Sequence, residues 1–405
     1  MPAQPTVLDL FCGCGGLSFG FMRAGFKTIA AYDCCKAAVQ TYRANLGNHA
    51  HQLDITPNLD LPPADVIIGG PPCQGFSSAG LRQQDDTRNT LVRTFSNIVA
   101  GAKPKAFVFE NVEGFLTAGT GDFLFDLLDP LVTAGYQIHL RKVNAANYGV
   151  PQNRKRVIAI GGLGWEPHFP KPTHSAYGAP GAHLPARDLP LTPCLSAALE
   201  GLPAASPFNG NFDDSFGHCF VPLNRDDLKR AELLEPGQCM RDLPESLWHT
   251  SYRRRAHRRV MDGTPTERRG GAPAGLRRLR ADHPAKAITT CSLNEFLHPY
   301  EHRPLTLREC ARLQTFPDDF LFPSPPREAI RLIGNAVPPL FSQILATHLR
   351  AALQNHKAKT DTGRLLSFIP TLSTGSSPAL TAVREAVTNK YMAVNGPNQL
   401  YLPWH

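Results

Sequence analysis

The chain opens on alternating short apolar runs and amphipathic stretches. Residues 5–11 (Pro-Thr-Val-Leu-Asp-Leu-Phe) predict a short buried strand. A glycine-rich turn follows at 13–16, then a helical stretch to about Ala24. Lys27 to Tyr32 predicts a second strand with Asp33 at its carboxyl end, followed by a helix with Val39, Tyr42 and Leu46 on one face. A third strand spans Asp65 to Ile68 and runs into Gly69-Gly70-Pro71-Pro72. Leu91 to Ala100 reads as helix, Ala106 to Phe109 as a strand ending at Glu110, and Val157 to Ile160 as another strand. Strands alternating with helices predict an α/β fold, a doubly wound, mostly parallel sheet.

The pattern changes near residue 165. From there to about 300 the chain is rich in Pro, Gly and Arg with weak periodicity, which predicts a smaller irregular domain. Helices return at Thr306 to Gln314 and from about Pro338 to Leu353, and the last fifty or so residues are Ser/Thr-rich and poorly patterned. The expected organisation is a first α/β domain over 1–165, a smaller irregular domain over 166–322, a return segment over 323–353 and a tail over 354–405.

Composition narrows the class. With 42% hydrophobic residues in 405, a real core is expected and global disorder is not. No apolar run reaches the roughly 18–20 residues that span a bilayer, and the first residues lack a signal-peptide pattern, so a cytoplasmic protein is expected. Cys12, Cys14, Cys34 and Cys35 invite a zinc reading, but there is no Cys-x-x-Cys pair; no metal is expected. The net charge of +8 is concentrated: residues 251–280 hold ten arginines and no lysine, against Asp262 and Glu267. A segregated arginine patch predicts a polyanionic partner, since the guanidinium fork suits phosphates and guanine edges.

Four blocks carry candidate chemistry. Phe11-Cys12-Gly13-Cys14-Gly15-Gly16, between strand and helix, with Asp33 ending the next strand, predicts a nucleoside cofactor without saying which one. Gly69-Gly70-Pro71-Pro72-Cys73-Gln74-Gly75-Phe76-Ser77 leaves the sheet at a strand end, where open α/β folds place their sites, and the prolines stiffen the loop around Cys73, a candidate nucleophile. Glu110-Asn111-Val112, at another strand end, supplies a carboxyl that could donate a proton. In Gln152-Asn153-Arg154-Lys155-Arg156, alternation puts Gln152, Arg154 and Arg156 on one face, suited to an electron-rich ligand.

In this order the four blocks resemble the motifs of the DNA (cytosine-5)-methyltransferases, of the compact bacterial type. Arg308-Glu309-Cys310-Ala311-Arg312-Leu313-Gln314-Thr315-Phe316-Pro317-Asp318 and Ile333-Gly334-Asn335-Ala336-Val337-Pro338-Pro339 resemble two later motifs of that family. The likeness spans 7–165 and about 285–350.

The resemblance implies a Rossmann-like fold and a reaction. Cys73 would attack carbon 6 of a flipped cytosine in double-stranded DNA, Glu110 would meet ring nitrogen 3, and Arg156, supported by Arg154, would meet the base carbonyl oxygen. S-adenosylmethionine would be held by Phe11, Gly13, Gly15, Gly16, Asp33, Asp54, Ile55, Pro72, Leu91, Asn335 and Val337. Asp33 is one methylene shorter than the family's usual Glu, and Cys34 stands where a larger side chain flanks adenine. The DNA would be contacted by Arg253, Arg254, Arg255, Arg258, Arg259, Arg268, Arg269, Arg277, Arg278 and Arg280. A partner restriction endonuclease and a monomer on DNA are further expectations. Three alternatives remain: an RNA methyltransferase of the same fold, a nicotinamide-dependent dehydrogenase that would leave Cys73 and Glu110 without a role, and a DNA-binding protein with a decayed site.

Overall fold

The computed structural model describes residues 4–72, 90–179, 188–208, 217–253, 275–356, 360–372 and 377–392. The first half alternates strands and helices: β1 (Thr6–Leu10), α1 (Gly16–Arg23), β2 (Lys27–Asp33), α2 (Lys36–Leu46), β3 (Ala50–Gln52), β4 (Val66–Gly69), α3 (Thr90–Ala102), β5 (Ala106–Val112), α4 (Asp122–Thr133), β6 (Tyr136–Asn144), β7 (Gln152–Asn153) and β8 (Lys155–Leu163), of which β3, α4 and β6 go beyond the elements that the sequence pattern predicts. The second half adds α5 (Leu195–Leu199), β9 (Ser206–Pro207), β10 (Cys219–Phe220), α6 (Arg225–Leu233), β11 (Arg277–Arg278), β12 (Ala285–Lys286), α7 (Ser292–Glu295), β13 (Phe296–Leu297), α8 (Leu307–Leu313), α9 (Pro326–Asn335), α10 (Pro339–Asn355), β14 (Arg364–Ile369) and α11 (Pro378–Tyr391).

One eight-stranded sheet runs in the order β14-β6-β8-β5-β4-β1-β2-β3. Its pairings are parallel except those of β8, which is antiparallel to both β5 and β6. Strands buried on both faces read as continuous apolar runs, and the period of two sorts them. Ile67, Phe107 and Phe109 face one core with Phe95 of α3 and Leu124 and Leu128 of α4. Val66, Ile68 and Val108 face the other with Phe21 of α1 and Phe341 and Leu345 of α10. Helices α1 and α10 pack closely because Gly20 lies against Ser342, whose Oγ donates to the Leu17 carbonyl at 2.6 Å.

The irregular region has a small core of Ala231, Leu234, Met240, Leu243, Tyr252, Leu276 and Leu297. A further cluster joins Leu279, Ile288, Phe316 and Ile330 to Cys14 and Ala38 of the first half. The two halves also share a seam, where β12 pairs with β7 through Ala285↔Gln152 and Lys286↔Asn153.

The tail differs from its unpatterned sequence. Strand β14 extends the sheet beside β6, and α11 buries Val383 and Val387 against the α4 side of the core. The apolar signal of β6 is weak for this reason: Ile138 and Leu140 are apolar, but Gln137, His139 and Arg141, which alternate with them, are buried too, partly by β14. Among the described residues no helix is long and apolar enough to cross a membrane.

Candidate active site

The turn after β1 is shaped by left-handed backbone at Phe11 (φ 61°), Gly13 (φ 54°) and Gly15 (φ 92°). Asp33 holds it: its Oδ2 accepts from the Gly13 N–H at 2.9 Å and its Oδ1 from the Cys35 N–H at 2.8 Å. Burial raises the Asp33 pKa while these two donors oppose it. Each carboxylate oxygen keeps a second lone pair free for a hydroxyl. A Cβ added at Gly13 would meet nothing within 4 Å, whereas one at Gly15 would strike Leu46 and Tyr42. Open space therefore lies at Gly13, and Gly15 is needed for packing as well as for its φ. Ile55 and Val337 are buried, Pro72 and Leu91 half-buried, and Asp54 and Asn335 exposed. A glycine turn with free space, a carboxylate and an apolar flank form a donor set that fits an adenosyl ligand.

At the carboxyl end of β5, Glu110 Oε1 lies 2.8 Å from Arg156 Nε, with the two side chains 10% and 14% exposed. The other oxygen faces the strand-end loop: a Cβ on Gly70 would stand 3.0 Å from Glu110 Oε2. Asn111 Nδ2 donates to the Pro71 carbonyl at 3.4 Å, so the Glu-Asn-Val segment also ties down the loop that precedes Cys73. Cys73 itself lies outside the described residues.

The expectation that Gln152, Arg154 and Arg156 converge on a ligand is corrected in two of the three. Arg154 is 1% exposed and donates to the carbonyls of Ile288 (2.8 Å), Gly334 (2.7 Å) and Ala336 (2.9 Å). Gln152 Nε2 donates to the Leu313 carbonyl (2.6 Å) and to Gln314 Oε1 (2.8 Å), and its Oε1 accepts from Ile288 N–H (2.9 Å). Their electron-rich partners are the protein's own carbonyls. Only Arg156 reaches the Glu110 carboxylate.

The arginine window is corrected in part. Arg278 is 3% exposed and donates to the carbonyls of Ala231, Leu234, His298 and Glu301, so it is a strut of the small core and not a DNA contact. Arg280 is exposed and paired with Asp282 at 2.8 Å; Arg253 is exposed and donates to the Glu245 carbonyl at 2.7 Å; Arg277 is half-buried in β11. Arg254, Arg255, Arg258, Arg259, Arg268 and Arg269 lie outside the described residues.

Sequence reasoning missed the latch formed by Gln152 with Gln314, because its partners are 162 residues apart. It also passed over a signal that was present. Thr306 and Glu309 have capping-box spacing, and the box forms at the start of α8, where Arg303 grips the Glu309 carboxylate with two nitrogens at 2.8 and 3.0 Å.

Residues 5–351 match the family model described as C-5 cytosine-specific DNA methylase. The chain is 33% identical over 357 residues to the Type II methyltransferase M1.HphI of Haemophilus parahaemolyticus, covering 84% of this chain and 85% of that one. It is 32% identical over 373 residues to M.NgoFVII of Neisseria gonorrhoeae, covering 88% and 90%. A solved E. coli structure, described as a prophage-encoded DNA modification methyltransferase, superposes with a TM-score of 0.63 at 25% identity, covering 87% of this chain and all of that one. The sheet and its flanking helices thus form an α/β methyltransferase fold. The chain belongs to the C-5 cytosine-specific DNA methylase family and is a DNA (cytosine-5)-methyltransferase. The RNA alternative is not favoured by these relatives.

Proposed function

We propose that the chain methylates carbon 5 of a cytosine extruded from a specific sequence of double-stranded DNA, with Cys73 as nucleophile and S-adenosylmethionine as donor. The observation that carries this is the Glu110–Arg156 ion pair set against Gly70, three residues before Cys73. Carbons 5 and 6 are out of reach of Cys73 and the methyl donor while the base is stacked in the duplex, which makes extrusion necessary. The Cys73 thiolate adds to carbon 6, and the electron pair displaced towards nitrogen 3 is met by a proton from Glu110. Arg156 holds Glu110 in place and faces the base carbonyl oxygen. The ring is now an enamine with a nucleophilic carbon 5. S-adenosylmethionine, when bound at the Gly13–Asp33 turn, supplies an electrophilic methyl group. Loss of the carbon 5 proton to water, departure of Cys73 as thiolate and return of the nitrogen 3 proton to Glu110 restore the aromatic ring and the enzyme.

Phe11, Gly13, Gly15, Gly16 and Asp33 line the methionine and ribose parts in this reading, Asp54 and Ile55 the adenine, and Pro72, Leu91, Asn335 and Val337 the rest of the pocket. Arg154 is a positioning residue. Residues 1–165 with 323–353 form the catalytic domain, to whose sheet and core β14 and α11 of the tail add, and 166–322 form the target-recognition domain. Arg253, Arg277 and Arg280, with the arginines of the window outside the described residues, contact DNA. Pairing with a restriction endonuclease, action as a monomer and a cytoplasmic location belong to the same proposal; similarity to Type II methyltransferases supports the first.

The test is a duplex carrying 5-fluorocytosine at the target, where fluorine replaces the proton that must leave. A covalent adduct should accumulate with wild-type protein and S-adenosylmethionine, and be absent with Cys73→Ala. An adduct that persists in that variant rules Cys73 out.

A further inference from the structure

We propose that His139, Glu166 and His168 form a binding site for one zinc-class divalent metal ion at the β6–β14 edge of the sheet, remote from the methylation site. His139 Nε2 lies 3.0 Å from Glu166 Oε1, and His168 Nδ1 lies 3.1 Å from the same oxygen. All three candidate ligand atoms fall within 4.8 Å of one another. Bonds of about 2.0–2.1 Å in a tetrahedron separate ligand atoms by roughly 3.3–3.5 Å, so small side-chain movements would admit the ion. Two imidazoles and a carboxylate are a borderline donor set suited to zinc, and the exposure of Glu166 and His168 leaves room for water as a fourth ligand.

Two features support a built site over a chance cluster. Ser367, the register partner of His139 across the parallel β14–β6 pairing, places its Oγ 2.7 Å from His139 Nδ1. A hydroxyl there can accept from Nδ1–H, which leaves the Nε2 lone pair for a metal; such an outer partner orients most metal-bound histidines. Without metal the hydroxyl turns to donate, and Nε2–H bonds to Glu166. His168, in addition, has φ +46°, a left-handed backbone that few non-glycine residues adopt and that aims its ring back at Glu166. The neighbouring Arg141 lays its guanidinium over the Phe169 ring at 4.9 Å and donates from Nε to the same Ser367 Oγ at 3.3 Å, so that hydroxyl accepts from Arg141 as well as facing His139.

The consequence is structural. His139 pairs with Ile160, four residues along β8 from Arg156, about 13 Å at the usual strand rise. An ion would clip the segment after β8 to the core and, through Ser367, to the tail, without touching the chemistry.

The test uses full-length, tag-free protein stripped with chelator and titrated with zinc, and with cobalt for its ligand-sensitive spectrum. The expected result is one ion per chain, a zinc-dependent rise in Tm, and no thiolate-to-cobalt band. Glu166→Gln and His168→Asn should weaken binding by at least ~100-fold and abolish the Tm rise. Asparagine tolerates the left-handed backbone, and both positions are exposed, so these variants should fold and methylate normally. A Cys34→Ser, Cys35→Ser double variant should bind zinc unchanged. No saturable binding by the wild type, or binding lost in the cysteine variant and kept in the other two, overturns the proposal.

Discussion

Arg156 Nε meets Glu110 Oε1 at 2.8 Å because β8 runs antiparallel to β5, with Arg156 opposite Val112. A parallel strand would bring its carboxyl end to this place; the reversed strand brings its first residues instead. Two blocks forty-six positions apart thereby meet at the rim where β4 releases the Cys73 loop.

Glu110→Gln should therefore lower single-turnover methylation by roughly 10²–10⁴-fold, the usual worth of a positioned acid, since an amide can bond the base but cannot give it a proton. Duplex affinity should change by only a few-fold. Rapid-quench assays with a binding titration separate the two, and a rate within a few-fold of wild type would show that the proton comes from elsewhere.

Arg154→Ala should act on stability first. It strips the buried carbonyls of Ile288 and Gly334 of this donor, at about 1–3 kcal/mol each if water does not replace it, while the Ala336 carbonyl keeps Gln314 Nε2 at 3.3 Å. Cofactor affinity should fall with it, since Gly334 and Ala336 flank Asn335. Urea unfolding and calorimetric titration with S-adenosylmethionine check both; an unchanged midpoint contradicts the strut role.

The arginines should split into two kinds. Arg278→Ala should lower the unfolding midpoint, whereas Arg253→Ala and Arg280→Ala should leave it alone. Each of these two should instead reduce the salt slope of DNA binding by about one, the signature of a single neutralised phosphate. Titrations at several salt concentrations decide this. An Arg278→Ala protein of normal stability and reduced salt slope would reverse the assignment.

Truncation after His356 should destabilise or aggregate the protein. It removes β14 and α11, opening the edge of β6 and uncovering the core beside Val383 and Val387. Light scattering and thermal unfolding provide the readout; a truncated chain as soluble and stable as the whole would show that the extension is dispensable.

Asp9 gives a pH prediction. Burial lifts its carboxyl to about 7, although Ser18 Oγ donates to it at 2.6 Å. The folded state thus holds a proton that the unfolded chain releases above about pH 4. Its contribution to stability is full below pH 4 and is lost as pH rises to about 7, so the slope is negative across that window. Asp9→Asn should flatten this part of the profile and be the more stable variant at pH 8. Urea unfolding at pH 5 and 8 tests it; parallel profiles for the two proteins would remove Asp9 as the cause.

Strands β1, β2, β4 and β5, the glycine turn with Asp33, and the blocks around Cys73, Glu110 and Arg156 are legible in the chain's local pattern. Each is local: a period of two or 3.6, a turn residue, or a chemical group at a strand end. Tertiary structure decided what each arginine and glutamine does. Arg154 and Arg156 are two residues apart and chemically identical, yet one is closed around carbonyls from residues 288, 334 and 336 while the other faces a carboxylate. Arg278 is indistinguishable from its neighbours in a basic run until the fold surrounds it with four carbonyls. The tail supplies a strand whose pairing partner is β6, more than two hundred residues earlier. A side chain's partners lie where the backbone returns, and local pattern carries no record of a neighbour hundreds of residues away.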